Sequence, residues 1–200
     1  MKHRQKQLTD KRAYDRLLYV NRLLKYIKLE NYLDIGTGNG QIASVITDDY
    51  NIKNTYGIDL YDPENYQGPT NVKYQKSKIP LPFKDNMFDL ITCFQSLHHL
   101  DDIEKMLTEI VRVLKPNGYI FIREHNAYNN YIKKVLYDDH AKWDDFDPKN
   151  DKLNFMSKDY LIQLLNKYGF ELKEYIFIAL NNSKKIKEQK IYHMLLQLKK

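Results

Sequence analysis

The stretch at residues 31–40, NYLDIGTGNG, decides the fold. A short apolar run carries one carboxylate, Asp34, near its end and gives way to three alternate glycines, Gly36, Gly38 and Gly40. An apolar run of this length reads as a buried strand. Glycines directly after it let a ligand approach the main chain and sit over the N-terminus of a following helix. Further runs of strand type follow, NTYGID, NVKYQ, MFDLITCF and GYIFIRE, separated by segments with helical period or turn chemistry. That alternation predicts a parallel sheet with crossover helices.

Three helices are legible around these strands. TDKRAYDRLLYVNRLLKYIK places Tyr14, Leu17, Leu18, Leu24 and Ile27 near helical spacing with charges between them. DIEKMLTEIVRVLKPNG puts Ile103, Leu107, Ile110, Val111 and Leu114 on one face, with Lys115 and the PNG breaker at its end. MSKDYLIQLLNKYGF offers Ser157 as N-cap, a face of Leu161, Leu164, Leu165 and Tyr168, and Gly169 as C-terminal stop. The last thirty residues hold two β-prone runs joined by a polar link too short for a crossover helix, so they pair antiparallel.

With 200 residues and 42% hydrophobic content, the chain builds one ordinary core. We read a single domain, 1–200: a basic N-terminal helix at 1–30, a cofactor-binding core at 31–125, a substrate-side insert at 126–156, and a C-terminal helix with an antiparallel hairpin at 157–200. No stretch approaches the ~20 apolar residues of a membrane span, and the N-terminus lacks the apolar region of a secretory signal, so the expected location is the cytoplasm. The lone cysteine, Cys93, forms neither an internal disulfide nor a cysteine-rich metal site, and no metal is expected. Residues 1–30 carry nine Lys and Arg against three acids, and residues 181–200 carry six against one. The formal total is only +6, so an acidic middle lies between two basic ends that suit RNA or another polyanion. Solvated terminal lysines account for the same numbers.

Two cofactor classes use a strand–glycine–helix junction. Dinucleotides expect G-x-G-x-x-G, whereas the spacing here is G-x-G-x-G. Asp34 beside that turn repels a pyrophosphate but suits a ligand bearing an ammonium and a sulfonium, as S-adenosylmethionine does. A second acid, Asp59, ends the next strand in YGIDLYD, where a carboxylate accepts both hydroxyls of a ribose.

From about Leu33 to Ile122 the chain resembles the class I S-adenosylmethionine-dependent methyltransferases, of the small single-domain type. LDIGTGNG resembles the family's glycine motif, GIDL its ribose-binding acid, IPLPFKDNMFDLITCFQSLHHLDD its post-cofactor segment and EIVRVLKPNGYIFI its helix–turn–strand signature. The resemblance implies an α/β, Rossmann-like seven-stranded sheet in the order 3-2-1-4-5-7-6 with strand 7 antiparallel and helices on both faces. It also implies cofactor contacts from Asp34, Gly36, Gly38, Gly40, Asp59, Leu60, Ser77 and Gln95. One departure stands out: YDPENYQGPTN follows Asp59, and Ser77 or its neighbours occupy the place of the family's adenine-binding acid, with Asp62 or main-chain groups as replacements.

The resemblance brings His98 and His99 close to the transferred methyl, where a neutral imidazole takes a proton from a hydroxyl or amine; packing or capping is the competing role. Glu124 and His125, in REHN at the end of the fifth strand, face the same cleft. The segment after Asn126 covers the substrate in many relatives, and Tyr128, Tyr131, Tyr137, His140 and Trp143 are its candidate contacts. The bland alternative is a helix burying Tyr131, Val135 and Leu136. Several subclasses are disfavoured: the DPPY-type motif of DNA amine methylation is replaced by CFQS, the ribose 2′-O set is broken near Gln95, and Cys93 sits inside an apolar strand without the preceding proline of cytosine C5 chemistry. Transfer to an O or N acceptor remains, on RNA or on a small metabolite. A non-catalytic subunit supporting a partner enzyme is the third reading, with Leu17, Leu18 and Leu24 as its apolar strip, although closing over the cofactor or packing on the sheet is the favoured duty of that helix.

Overall fold

The computed structural model describes residues 17, 19–20, 24, 27–60, 62, 67–142, 152–179 and 190–199. In chain order these form β1 (Asn31–Ile35), α1 (Gln41–Asp49), β2 (Asn54–Asp59), β3 (Lys73–Lys76), β4 (Phe88–Phe94), α2 (Ile103–Val113), β5 (Leu114–His125), α3 (Asn130–His140), α4 (Lys158–Lys167), β6 (Phe170–Ala179) and β7 (Lys190–Leu198). A single 3-10 turn, Leu97–His99, follows β4. The seven strands make one sheet in the order β3-β2-β1-β4-β5-β7-β6. All pairings are parallel except those of β7, which runs antiparallel to both β5 and β6.

Strand periodicity divides the core into two layers. Leu33, Ile35, Ile91, Cys93, Ile120, Ile122, Met194 and Leu196 point to one face, where Leu107 and Ile110 of α2 and Leu161 and Leu165 of α4 cover them. Tyr32, Leu90, Phe94, Phe121 and Leu195 point to the other, under Ile42 and Ile46 of α1 and under Leu17, Val20 and Leu24. Leu17 and Leu24 are therefore buried core residues and not an exposed partner strip, while Leu18 lies outside the described residues.

Local chemistry sets the helix ends. Asp102 caps α2 by accepting from Lys105 N at 3.0 Å, and Ser157 caps α4 by accepting from Tyr160 N at 3.2 Å. Gly169 ends α4's turn at φ +85°, as the sequence predicts. Helix α2 stops one residue before Leu114, which begins β5 instead of extending the helical face, and the KPNG segment breaks the register of β5 against β4 with Asn117 at φ +61°. Two long-range pins hold the edges of this frame. Arg112 donates to Glu109, Asp85 and the carbonyls of Leu81 and Phe83, tying the 81–87 loop to α2. Asp89 accepts from the main-chain N–H groups of Glu30 and Asn31 and from Lys115, joining the start of β1 to β5 across β4. Among the described residues, no helix is long and apolar enough to cross a membrane.

Candidate active site

The glycine loop sits at the C-terminal edge of β1, where Gly36 and Thr37 donate to the Ile58 carbonyl at 2.9 and 3.0 Å. Gly36, Gly38 and Gly40 have φ values of 73°, 55° and 73°, in the left-handed region that glycine tolerates without strain. Gly36 also has no room for a side chain, because a Cβ there would stand 2.3 Å from Ser96 Cβ. A Cβ on Gly38 would meet nothing within 4 Å, so that residue's bareness answers to the space outside the chain. Helix α1 starts at Gln41 with Gly40 as N-cap and no side-chain cap from it, while the Gln41 N–H donates to Asn39 Oδ1 at 3.3 Å.

Asp59, at the end of β2, accepts from Gly38 N through Oδ2 and from Leu60 N through Oδ1, both at 2.7 Å. Each carboxylate oxygen keeps a further lone pair for a ligand hydroxyl. Leu60 beside it is 71% exposed. Asp34 is buried, and a relay reaches it from the neighbouring strand: Tyr32 donates to Thr92 at 2.7 Å and Thr92 donates to Asp34 Oδ1 at 2.5 Å. Ser77 donates its main-chain N–H to the Asp59 carbonyl at 2.5 Å, and Asp62 pairs with Lys76 at 2.6 Å. Ser77 thus supports Asp59, and no carboxylate stands at its own position.

Ser96 links this loop to a second cluster. Its hydroxyl donates to the Ile35 carbonyl at 2.7 Å, and two residues further on lie His98 and His99. His98 is buried, with Nδ1 2.7 Å from Glu124 Oε1 and Nε2 3.3 Å from His140 Nε2. His140 closes α3, its Nδ1–H donating to the Leu136 carbonyl at 2.8 Å. His125 accepts at Nε2 from Gln95 at 2.7 Å, while Arg123 engages the other end of the Gln95 amide. Phe155 stacks on His98 with ring centroids 4.7 Å apart. Of the cluster only His99 is exposed.

Electrostatics follow from this burial. Burial drives Glu124 upward, but the charges and hydrogen bonds of His98 and His125 outweigh it and hold the carboxyl below its usual range. Burial pulls His125 down to about 3 against the opposing pull of Glu124, so it is neutral at neutral pH. His140 is lowered by burial as well, against its hydrogen bond to Leu136. Cys93 is wholly buried within β4, and burial raises its thiol well above the ordinary value.

The structure thus brings five of the sequence candidates, His98, His99, Glu124, His125 and His140, to one place, and Asp34, Gly36, Gly38, Gly40, Asp59 and Leu60 to another beside it. Gln95 turns toward the histidines. Tyr131 is 64% exposed, so α3 buries Ile132, Leu136 and His140 instead of Tyr131. Trp143 lies outside the described residues, as do most of the basic ends. Tyr128 lines a cavity of about 610 Å³ together with Ala127, Asn129, Asn154, Phe155 and Tyr160. None of its lining residues belongs to the glycine loop; Phe155 separates the cavity from His98. Ser96, Thr92 and Phe155 were not legible beforehand, because each matters through a partner distant in sequence.

The chain belongs to the methyltransferase-domain family, whose model it matches over residues 2–175. It is 33% identical over 104 residues to the Bacillus subtilis methyltransferase YcgJ, a match covering 48% of this chain and 40% of that protein. The solved structure of YcgJ aligns with a TM-score of 0.70 at 17% identity, over 94% of this chain and 99% of that one. A ubiquinone biosynthesis O-methyltransferase of Coxiella burnetii is 28% identical over 130 residues, covering 61% of this chain and 53% of the relative. A Methanosarcina mazei structure described as an S-adenosylmethionine-dependent methyltransferase has a TM-score of 0.66 at 18% identity, over 89% and 97% of the two chains. By sequence, the chain spans about half the length of the curated relatives it matches.

Proposed function

We propose that the chain transfers the methyl group of S-adenosylmethionine to an oxygen or nitrogen atom of a small molecule. The observation that carries this reading is the junction of a bare glycine loop and the Asp59 carboxylate with the Ser96–His99 turn, all on one edge of the sheet. Gly36 and Gly38 leave the main chain open to the ligand, the N-terminus of α1 faces its carboxylate, and Asp59 accepts from its ribose. Asp34 opposes its positive charge, and exposed Leu60 offers an apolar surface to the adenine. When bound, the ligand supplies a methyl already activated on a sulfonium, so the chain's own work is alignment and proton removal. Proton removal falls to the imidazoles of the neighbouring cluster, and His99 is the one presented to solvent.

The small-molecule acceptor is favoured by the Coxiella relative's printed role in ubiquinone biosynthesis. Tyr128, 44% exposed, is the candidate aromatic contact. The RNA reading rests on the basic ends and the tyrosine-rich insert.

Titration calorimetry of S-adenosylmethionine and S-adenosylhomocysteine, with NADH as control, tests the assignment. Micromolar binding of both sulfur ligands and none of NADH is expected. Asp59→Ala should weaken both by roughly 30-fold or more, since it removes charge-assisted hydrogen bonds. A wild type that binds neither sulfur ligand would sink the reading and favour a non-catalytic subunit lacking a competent adenine site.

A further inference from the structure

Four of the chain's six histidines meet behind the Ser96 turn, and two of them face each other through the same ring atom. The partners of His98 Nδ1 and His140 Nδ1 are a carboxylate and a carbonyl, at 2.7 and 2.8 Å. Both partners only accept, so each ring carries its proton on Nδ1 and aims Nε2 at the other. With both protons held on Nδ1, two Nε2 atoms 3.3 Å apart suit a cation between them, either a proton or a metal ion. A proton shared between them makes an N–H hydrogen bond, which ordinarily spans about 2.7–3.2 Å. Two imidazoles on one tetrahedral ion, each with a bond of about 2.0–2.1 Å, stand about 3.3–3.4 Å apart. The observed separation is the second kind.

His99 completes the set, since one donor atom from each of His98, His99 and His140 lies within 4.8 Å of the others. The three ring centroids are 4.2, 5.1 and 5.7 Å apart. Three imidazoles on a tetrahedral ion place them about 5 Å apart. A rotation of the exposed His99 closes the remaining gap.

We infer that His98, His99 and His140 form a three-histidine site for a divalent transition-metal ion of the zinc class. Glu124 orients His98 from behind, and the Leu136 carbonyl does the same for His140, the support that metal-bound histidines ordinarily have. Glu124 Oε2 is buried without a hydrogen-bond partner, and an ion next to His98 compensates a carboxylate charge that is otherwise costly to bury. Exposed His99 marks the entry path and leaves a fourth position for water or an oxygen ligand, where the ion acts as a Lewis acid. All-imidazole ligation selects zinc, cobalt, nickel or copper over magnesium and calcium. The cysteine count, from which no metal was expected, says nothing about a site built of nitrogen donors. The glycine loop's part in the methyl-transfer reading does not depend on this site, but an imidazole that holds the ion has no lone pair left to remove a proton.

The test is a titration of the metal-stripped full chain with cobalt(II) chloride, followed by visible ligand-field absorption. One equivalent should give a tetrahedral spectrum that zinc chloride bleaches and magnesium chloride leaves alone. His99→Ala, at an exposed position, and His140→Ala should each weaken cobalt binding by about tenfold or more. Circular dichroism reports whether each variant folds, and if His140→Ala does not, His99→Ala decides. Absence of the spectrum in the wild type, or a spectrum unchanged in the folded variants, overturns the site and leaves a shared proton between His98 and His140. Titration of S-adenosylhomocysteine into the same samples reads the glycine loop separately, so the two readings fail independently.

Discussion

Gly36 and Gly38 carry the same sign of φ yet answer to different constraints. Gly36 is closed in by Ser96, whereas Gly38 faces open space. Gly36→Ala should therefore cost about 3 kcal/mol of stability, from left-handed strain plus overpacking, as read by urea unfolding. Ser96→Gly in the same chain should recover part of that loss, and strict additivity would refute the contact. Gly38→Ala should cost only about 1–2 kcal/mol, the strain alone. Its larger effect belongs in the titration with S-adenosylhomocysteine, where a methyl projecting into the ligand's space should weaken binding more than tenfold. If Gly38→Ala binds as the wild type does, the loop is a structural turn and not a ligand cradle.

At the scale of elements, Asp89 shows how a single carboxylate joins β1, β4 and β5. Burial raises it, but Lys115 and the N–H groups of Asn31 and Glu30 together hold it below its ordinary value of 3.8. A depressed folded pKa means that the stabilisation is fully present above the unfolded value and is lost as pH falls through the folded one. Asp89→Asn should thus cost about 2 kcal/mol at pH 7, and its difference from the wild type should shrink as pH drops from about 4 toward 2. Denaturant midpoints measured at several pH values check the sign; a difference that grows in acid contradicts it. Likewise, Leu24 packs in the layer with Ile42 and Ile46, so Leu24→Ala should cost about 2–4 kcal/mol. A neutral result would return this segment to the role of a partner surface.

For the whole molecule, charge distribution separates acceptor classes. If the acceptor is a neutral metabolite, its KM should hardly move as salt is raised, whereas an RNA acceptor should weaken steeply as phosphate contacts are screened. Steady-state kinetics at low and physiological salt decide between them, and a steep slope would overturn the small-molecule reading in favour of the basic ends.

What the sequence determined by itself was the order and type of the elements and the nature of the glycine junction. Those properties are local: the period-2 faces of β1, β4 and β5, the Ser157 cap and the bare turn after Ile35 are each written within a few consecutive residues. The histidines were legible one by one, as members of LHHL, REHN and the following insert. Only the tertiary structure decided that His98 meets Glu124, 26 residues away, and His140, 42 residues away. It likewise placed Tyr131 in solvent and packed Leu17 and Leu24 into the core. The physical reason is that such meetings depend on which strands are neighbours and how far each strand and helix extends. Periodicity tells which side of an element is buried, and sheet order alone tells against what.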